Sequence, residues 1–386
     1  MRIYLDHNAT TPLRDEVLAA MARSLRDDFG NPSSAHAEGA RAKGALEDAR
    51  ERVAALVGAR PGEIVFTSGA TEANQLAIHG IATATGPRRR LVTSGVEHPS
   101  VAEPTEAMGA VGWPLTRIAV DPDGRLDLEA LATELEAETA LVSVIWAQNE
   151  TGVVSPIERI AELCRSRGVP LHVDATQAIG KLPVRLDRVP VDLLSASAHK
   201  FNGPKGVGFL VVRGERPLAP WLRGGGQERG RRGGTPNVPA IVGLGVAAEL
   251  AATELDERAA CGAALRDRLW RGIEAKTPSV RRNGDPTCVL PNTLNVEFTA
   301  AAGEVLVEAL DGEGVAVSAG AACASGAVHP SPALLAMGRT PAEARAAIRF
   351  SVGHGNDVGQ IDHVSTILPD LVARARALAA AEGGSR

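Results

Sequence analysis

The sequence contains few cysteines, and no two of them lie close together in the chain. Four cysteines occur in 386 residues, at positions 164, 261, 288 and 323, without a C-x-x-C pattern. Disulfide-stapled domains and zinc sites are recognised by clustered cysteines. The sequence therefore predicts neither a disulfide framework nor a metal site, and each cysteine has to be judged by its own surroundings.

Long hydrophobic runs are also absent. No apolar stretch approaches the ~20 residues that a helix needs to cross a bilayer. The first residues, MRIYLDHNATTP, lead directly into a strand-like segment and lack the apolar core of a signal peptide. We therefore expect a soluble cytoplasmic protein without membrane contact.

The chain has no excess of positive charge. It carries 41 Lys and Arg against 46 Asp and Glu, with a formal net charge of −5. Dense basic spots are limited to RRR (88–90) and ERGRRGG (228–234). This balance gives no electrostatic case for binding nucleic acid, and we expect no nucleic-acid partner.

Short apolar runs alternate with longer amphipathic stretches through the first two thirds of the chain. Segment 155–168 has apolar residues at helical spacing and ends at a glycine. Strands that alternate with helices predict an α/β fold whose mostly parallel sheet is covered on both faces. The predicted strands are EIVFTSG (63–69), followed by a helix at 70–84, and then 90–96, 140–149, 170–177, 191–198 and 206–214.

The pattern changes after about residue 236. Long Ala/Leu/Arg helices at 237–276 lead to strands at 292–298, 315–320 and 346–353, and a helix at about 357–381 closes the chain. A chain of 386 residues is long enough for two or more domains of roughly 150 residues. We predict a large domain at 15–255 and a smaller α/β C-terminal domain at 256–386 that also includes residues 1–14.

Several polar residues fall at predicted carboxyl ends of strands, where open α/β sheets bind ligands. In TSGATEAN (67–74), the backbone N–H groups at Ala70 and the hydroxyl of Thr71 could hold a phosphate at a helix N-terminus, although such turns are also common helix caps. His98 follows a strand, where a structural role is the alternative. Asp174 ends the apolar strand of HVDATQ and needs a partner, for which an ion pair is the alternative.

The segment SAHKFNGPKG (197–206) places Lys200 after a strand, beside a glycine-rich turn. Pyridoxal phosphate requires a lysine for its aldehyde, an acidic partner for its ring nitrogen and a phosphate site. Lys200, Asp174 and the turn at Thr71 supply these groups, with His98 as a ring-sized neighbour. The sequence therefore predicts a pyridoxal 5'-phosphate enzyme.

Over nearly its whole length the chain resembles the cysteine desulfurases of the class V aminotransferase family, in the branch with the longer cysteine loop. The motifs that carry the resemblance occur in family order: YLDHNATTP, GNPSSAH, FTSGATEAN, EHPSV, NETG, HVDATQ, SAHKFNGPKG, GGGQERGRRGGT, SAGAACASG and IRFSVG. The resemblance implies a fold-type I pyridoxal phosphate transferase with a large domain and a smaller C-terminal domain.

The resemblance also implies roles for individual residues. Lys200 would bond the cofactor, and the nearby Lys205 would be an ordinary loop residue. The other implied cofactor contacts are Asp174 to the ring nitrogen, Gln177 to the phenolate oxygen, His98 on the ring, Ala70, Thr71, Ser197 and His199 at the phosphate, Asn149 beside cofactor and substrate, and Thr235 at the phosphate of the neighbouring subunit of a homodimer.

Cys323 and Arg349 would handle the substrate, L-cysteine. Cys323 is surrounded by Ala, Ser and Gly, and the resemblance makes it the nucleophile that carries a persulfide. Cys164 lies on the apolar face of a helix and is expected in the core. Arg349 lies in an apolar strand and either forms a structural salt bridge or, as the resemblance implies, binds the substrate carboxylate.

The implied reaction converts L-cysteine to L-alanine and leaves sulfur on Cys323 for an acceptor. An iron–sulfur scaffold, a sulfur-carrier protein and a tRNA-thiolation pathway all remain possible acceptors. Two rival functions also remain: another lyase or aminotransferase reaction on the same fold, and a non-catalytic sulfur-carrier scaffold. The lyase would not need Cys323, and the scaffold would not need Lys200 or Asp174.

Overall fold

The computed structural model describes residues 2–84, 86, 89–214, 216–319 and 329–383. Its strands are β1 (Ile3–Tyr4), β2 (Ile64–Thr67), β3 (Arg90–Ser94), β4 (Leu115–Ile118), β5 (Thr139–Ile145), β6 (Leu171–Asp174), β7 (Leu193–Ser197), β8 (Gly208–Val212), β9 (Val280–Asn283), β10 (Thr293–Phe298), β11 (Val315–Ala316), β12 (Ser318–Ala319) and β13 (Ala347–Ser351). Its helices are α1 (Asp15–Asp27), α2 (Ala37–Val57), α3 (Ala70–Ala84), α4 (Pro99–Ala110), α5 (Leu128–Glu134), α6 (Ile157–Ser166), α7 (Val238–Thr253), α8 (Leu255–Lys276), α9 (Gly303–Gly312), α10 (Pro332–Ala336), α11 (Pro341–Arg345) and α12 (Val358–Gly383).

The larger sheet has the strand order β2-β8-β7-β6-β5-β3-β4. Strand β8 runs antiparallel to both of its neighbours, and the remaining pairs are parallel. Side chains alternate between the two faces: Ile64 and Phe66 join the core that includes α2, α6 and α7, whereas Val65 joins the core that includes α3. The predicted α/β fold with a mostly parallel sheet covered on both faces is confirmed.

The smaller sheet is antiparallel, with the order β12-β13-β10-β9, and β1 pairs in parallel with β11. Its own apolar core contains residues of α8, α9 and α12 together with Ile3 and Leu5. The N-terminal segment therefore packs with the C-terminal elements. The domain boundary between residues 255 and 256 stays a prediction.

The elements that were not predicted from the sequence include two strands, β4 and β9, and the long helix α2. Strands β4 and β9 lie at edges of their sheets, and most of their residues are only partly buried. Edge strands carry fewer apolar residues, so their pattern is weak. Helix α2 has eight buried residues along one side and packs against α7.

The loop before α7 is fixed to the larger sheet by a buried ion pair. Arg50 of α2 donates to Glu228 at 2.9 Å, and the two side chains are 3% and 4% exposed. Glu228 also accepts from the backbone N–H of Phe66 at 3.0 Å. Removing one partner of a buried pair costs about 3–5 kcal/mol, so this contact holds the loop that leads to Thr235 firmly against β2.

The described residues offer little that could span a membrane or hold a metal ion. No single helix there is long and apolar enough to cross a membrane, but α7 and α8, bent by 72° at their junction, pass the same test of length and composition together. The described residues contain no group of three or more His, Cys, Asp or Glu side chains that could hold a metal ion.

Candidate active site

The sheet topology brings the predicted site residues to one edge. Neighbouring strands pair Ile145 with Asp174 and Asp174 with Ser195, so β5, β6 and β7 end close together. Helix α3 starts directly after β2, and His98 stands at the N-terminus of α4, beyond β3. Lys200 ends a short 3-10 turn that follows β7. The carboxyl ends of the parallel strands therefore form a common site, as expected for an open α/β sheet.

Asp174 is a buried carboxylate that the described residues satisfy with neutral donors. Its side chain lies at the end of β6 and the residue is 2% exposed. One carboxylate oxygen accepts from Asn74 Nδ2 at 3.0 Å and the other from the backbone N–H of Thr176 at 2.9 Å. No ion pair found among the described residues includes Asp174, so the alternative of a structural ion pair gains no support there.

A chain of polar side chains lies beneath Asp174. His172, which is fully buried, contacts Ser143 at 2.8 Å and Ser195 at 3.2 Å, and Ser195 donates to Asn74. Burial lowers the pKa of His172 to about 4, so the ring is neutral at pH 7. This network fixes the amide of Asn74 and, through it, the carboxylate.

The same amide connects Asp174 to His98. Asn74 Nδ2 also donates to Ser100 Oγ at 2.9 Å, and Ser100 lies 2.8 Å from His98 Nδ1. Burial lowers the pKa of His98, against the opposing effect of Asp174. The ring is therefore held in a fixed orientation and in its neutral form.

A second carboxyl group, that of Glu97, lies near Asp174 and His98. Burial raises the pKa of Glu97 to about 8, and the negative charge of Asp174 adds to the effect. Glu97 Oε1 accepts from the backbone N–H of Ile145 at 2.9 Å, whereas Oε2 is buried without a partner in the described residues. Glu97 therefore keeps its proton at neutral pH, and the full negative charge of this region rests on Asp174.

Lys200 is anchored by the N-terminal segment. Its Nζ donates to the carbonyl oxygens of Asn8 at 2.7 Å and Ala9 at 2.8 Å. The same Asn8 carbonyl accepts from Gln177 Nε2 at 2.9 Å, and Asn8 Nδ2 donates to Thr293 of β10 at 2.8 Å. Asn8, which is 1% exposed, thus joins the larger sheet to the smaller one at the lysine.

Arg349 reaches the same segment from β13. Its guanidinium donates to Asp6 Oδ1 at 2.7 Å, to the carbonyl oxygen of Asn149 at 3.1 Å and to Ser318 Oγ at 3.1 Å. The salt bridge that the sequence left open is therefore present, with Asp6 as its partner. Arg349 Nε is buried without a partner among the described residues, so the guanidinium retains a donor for a further acceptor.

The turn before α3 supplies donors for an anion. The first N–H groups of a helix, here those at Ala70 and Thr71, have no acceptor within the helix. A Cβ added at Gly69 would lie 3.7 Å from Ser197 Oγ, so Ser197 faces this turn. His199 contacts Thr10 Oγ1 at 3.1 Å, and its carbonyl accepts from Thr11, which ties the turn after β7 to the N-terminal segment.

Not all predicted site residues are brought together in the single chain. Thr235 is exposed, and its side chain has no hydrogen bond among the described residues. Cys323 lies outside the described residues. Of the other cysteines, Cys164 is 1% exposed in the core, where burial raises its pKa to about 12, whereas Cys261 and Cys288 are exposed.

Sequence reasoning assigned no role to several residues that organise the site. Asp6, Asn8, Asn74 and Glu97 all lie within motifs that carried the resemblance, namely YLDHNATTP, FTSGATEAN and EHPSV. Their position in those motifs was the available signal. Their partners come from distant parts of the chain and could not be identified by spacing.

Residues 3–364 match the family model described as "Aminotransferase class-V". A cysteine desulfurase of Cereibacter sphaeroides is 49% identical over 379 residues, which cover 98% of this chain and 97% of the relative. A solved structure titled "NIFS-LIKE PROTEIN" superposes with a TM-score of 0.91 at 37% identity and covers 97% of this chain and 100% of that chain. A second, titled "SspA in complex with cysteine", has a TM-score of 0.82 at 36% identity and covers 92% and 99%.

The chain therefore belongs to the class-V aminotransferase family, and its fold is that of the NifS-like fold-type I enzymes. Within the family its function is that of a pyridoxal phosphate-dependent cysteine desulfurase, an enzyme that removes sulfur from L-cysteine. The predicted family, fold, activity and cofactor are confirmed.

The described residues fit pyridoxal phosphate. Asp174 offers a buried carboxylate that lacks a cationic partner there, which suits a protonated ring nitrogen. The turn at Gly69 offers the free N–H groups of a helix N-terminus beside Ser197. Lys200 reaches the same edge of the sheet, so all three requirements of the cofactor are met by neighbouring elements.

Proposed function

We propose that residues 6–9 assemble the active site of this desulfurase by holding Lys200, which bonds the cofactor, close to Arg349, which binds the substrate carboxylate. The observation that carries the proposal is that Lys200 donates to Asn8 and Ala9 while Arg349 donates to Asp6. One short segment thus contacts the residue that bonds the cofactor and the residue that binds the substrate carboxylate.

The resemblance to the cysteine desulfurases supports a set of cofactor contacts for this chain. Asp174 would pair with the ring nitrogen, His98 would lie against the cofactor ring, and Gln177 would donate to the phenolate oxygen. Asn149, whose carbonyl accepts from Arg349, would line the site near the cofactor and the substrate. Ala70, Thr71, Ser197 and His199 would hold the phosphate.

In the first part of the proposed reaction, Arg349 orients L-cysteine by its carboxylate. Bound pyridoxal phosphate supplies an electron sink for the bonds at the substrate Cα. Lys200, once released as a free amine, accepts the proton from Cα. Asp174 keeps its negative charge throughout and so holds the ring-nitrogen proton in place.

In the second part, Cys323 attacks the substrate sulfur as a thiolate. The Cβ–S bond of the substrate breaks and an S–S bond forms on Cys323. Cβ takes up a proton, and Cα regains the proton held by Lys200, which gives L-alanine. Enzyme thiol and cysteine thus yield enzyme persulfide and alanine, without an external oxidant or reductant.

Replacing Arg349 with lysine tests the substrate assignment. A lysine keeps the positive charge but cannot donate in the same forked geometry, so we expect KM for L-cysteine to rise about tenfold or more with a smaller change in kcat. Steady-state alanine formation measures both constants. Arg281→Lys on β9, whose side chain pairs with Glu297, is the matched control, and an unchanged KM in Arg349→Lys would contradict the assignment.

The active enzyme is proposed to be a two-fold homodimer. Thr235 is exposed on a loop that the Arg50–Glu228 pair holds in place, which suits a contact with the cofactor phosphate of a partner subunit. The mass of one chain is 40.0 kDa, and light scattering on the holoenzyme should give twice that value. A monomer with full cofactor content would rule the dimer out.

The sulfur acceptor is proposed to be a protein that takes the persulfide sulfur from Cys323 in the cytoplasm. An iron–sulfur scaffold and a sulfur carrier both have the chemistry to receive it. Transfer of labelled sulfur from the loaded enzyme to purified candidates would identify the acceptor, and its retention on the enzyme with every candidate would exclude those tested.

A further inference from the structure

A second lysine, Lys181, is buried beside the active site without an assigned role. The residue is 8% exposed, and its Nζ donates to Asn8 Oδ1 at 3.1 Å and to Gln177 Oε1 at 2.5 Å. Both acceptors are amide oxygens, and no ion pair among the described residues includes Lys181. Burying an amine with only neutral partners is costly in its charged form, so the position calls for an explanation.

The charges around Lys181 add to this cost. Burial holds the pKa of Lys181 well below its usual value, and the positive charges of Lys200 and Arg349 lower it further. Lys181 in turn lowers the pKa of the buried His7, with burial as the larger cause. Because its charged neighbours are cationic, Lys181 gains no electrostatic stabilisation from them.

The contact with Lys181 fixes which end of the Gln177 amide faces Lys200. The amine donates to Oε1, and the other end of the amide, Nε2, donates to the carbonyl of Asn8 at 2.9 Å. That carbonyl also accepts from Lys200 Nζ. Since a carbonyl oxygen can only accept, the N–H end of Gln177 is turned to the side of the lysine that bonds the cofactor.

We infer that Lys181 is a positioning residue that holds the Gln177 side chain with its N–H donor directed at the phenolate oxygen of pyridoxal phosphate. The inference rests on the proposed function, in which Gln177 makes that hydrogen bond. A donor at the phenolate favours the deprotonated form of the cofactor–lysine linkage. Without the hydrogen bond from Lys181 to Oε1, the side-chain amide of Gln177 can rotate, and its Nε2 donor is no longer held in place.

The test is a pH titration of the visible absorbance of the resting holoenzyme, without substrate. The transition followed is the deprotonation of the cofactor–lysine linkage. Lys181→Met should raise its midpoint by about one pH unit, the effect of losing one hydrogen bond to a charged group. Gln177→Met should raise it by a similar amount. In the double variant the midpoint should match that of Gln177→Met, because Lys181 acts through Gln177.

Two outcomes overturn different parts of the argument. If Gln177→Met leaves the midpoint unchanged, the proposed role of Gln177 is wrong and the inference falls with it. If Gln177→Met shifts the midpoint but Lys181→Met does not, Lys181 does not act through Gln177. The same conclusion follows if Lys181→Met shifts the midpoint further in the Gln177→Met background. In both cases the inference alone is wrong.

Lys181→Arg is the second variant. Lys181 borders a cavity of about 370 Å³ that also adjoins His7, Lys200 and Asn292, so a larger side chain has room. An arginine retains donors for Gln177 Oε1, and its fixed positive charge disfavours protonation of the nearby cofactor–lysine linkage, so the midpoint should not rise above the wild-type value. A midpoint like that of Lys181→Met would overturn the inference.

Discussion

Cys323→Ser is expected to abolish sulfur transfer while leaving the cofactor bound. A serine hydroxyl at its normal pKa attacks sulfur poorly and cannot hold a persulfide, so alanine formation should fall at least about 10³-fold, as for other lost nucleophiles. The absorbance of the bound cofactor should remain, since Lys200 and Asp174 are intact. Alanine release and the visible spectrum are the two measurements.

The matched controls for this prediction are Cys261→Ser and Cys288→Ser. Both residues are exposed free cysteines, so they test whether any accessible thiol suffices. After treatment with L-cysteine and an alkylating reagent, mass spectrometry should find one extra sulfur on the peptide that contains Cys323. Wild-type turnover by Cys323→Ser, or the extra sulfur on another cysteine, would favour the rival lyase reaction on the same fold.

Lys200→Ala is expected to remove both the covalent bond to the cofactor and all measurable turnover. The loss of a proton-transferring group alone costs about 10²–10⁴-fold, and here the same amine also bonds the cofactor. The phosphate and ring contacts remain, so the variant should still bind pyridoxal phosphate. Borohydride treatment should therefore fix the cofactor to the wild type but not to Lys200→Ala, as measured by the mass of the intact protein.

Lys205→Ala provides the control within the same motif. Lys205 lies five residues further along the chain and is exposed, so its variant should keep the borohydride-stable adduct and normal activity. Retention of the adduct in Lys200→Ala together with its loss in Lys205→Ala would reverse the assignment of the two lysines.

The strands that carry the site were predictable because they are central in the sheet. Strands β5, β6 and β7 are buried on both faces and therefore read as continuous apolar runs bounded by polar residues. The edge strands β4 and β9 were missed, because partly exposed residues such as Arg117 and Arg281 interrupt their apolar pattern.

Among the site residues, those with distinctive chemistry were accessible from the sequence. Asp174 ends a strand, Lys200 and His98 follow strands, and all three lie within recognisable motifs. Asn74 was not identified, because an asparagine in a helix gives no local signal. Its importance comes from contacts with Asp174, Ser100 and Ser195, which lie 100, 26 and 121 positions away in the chain.

The α/β fold class, the family resemblance, and the lysine, carboxylate and phosphate-binding turn at strand ends could all be predicted from the amino-acid sequence. These properties depend on local pattern and on short motifs. Packing in three dimensions brings residues 6–9 to Lys200 and Arg349, makes Asp6 the partner of Arg349, and lets Lys181 and Gln177 meet at Asn8. Such contacts link residues up to 343 positions apart, and their pairing is set by the packing of the two sheets rather than by any pattern along the chain.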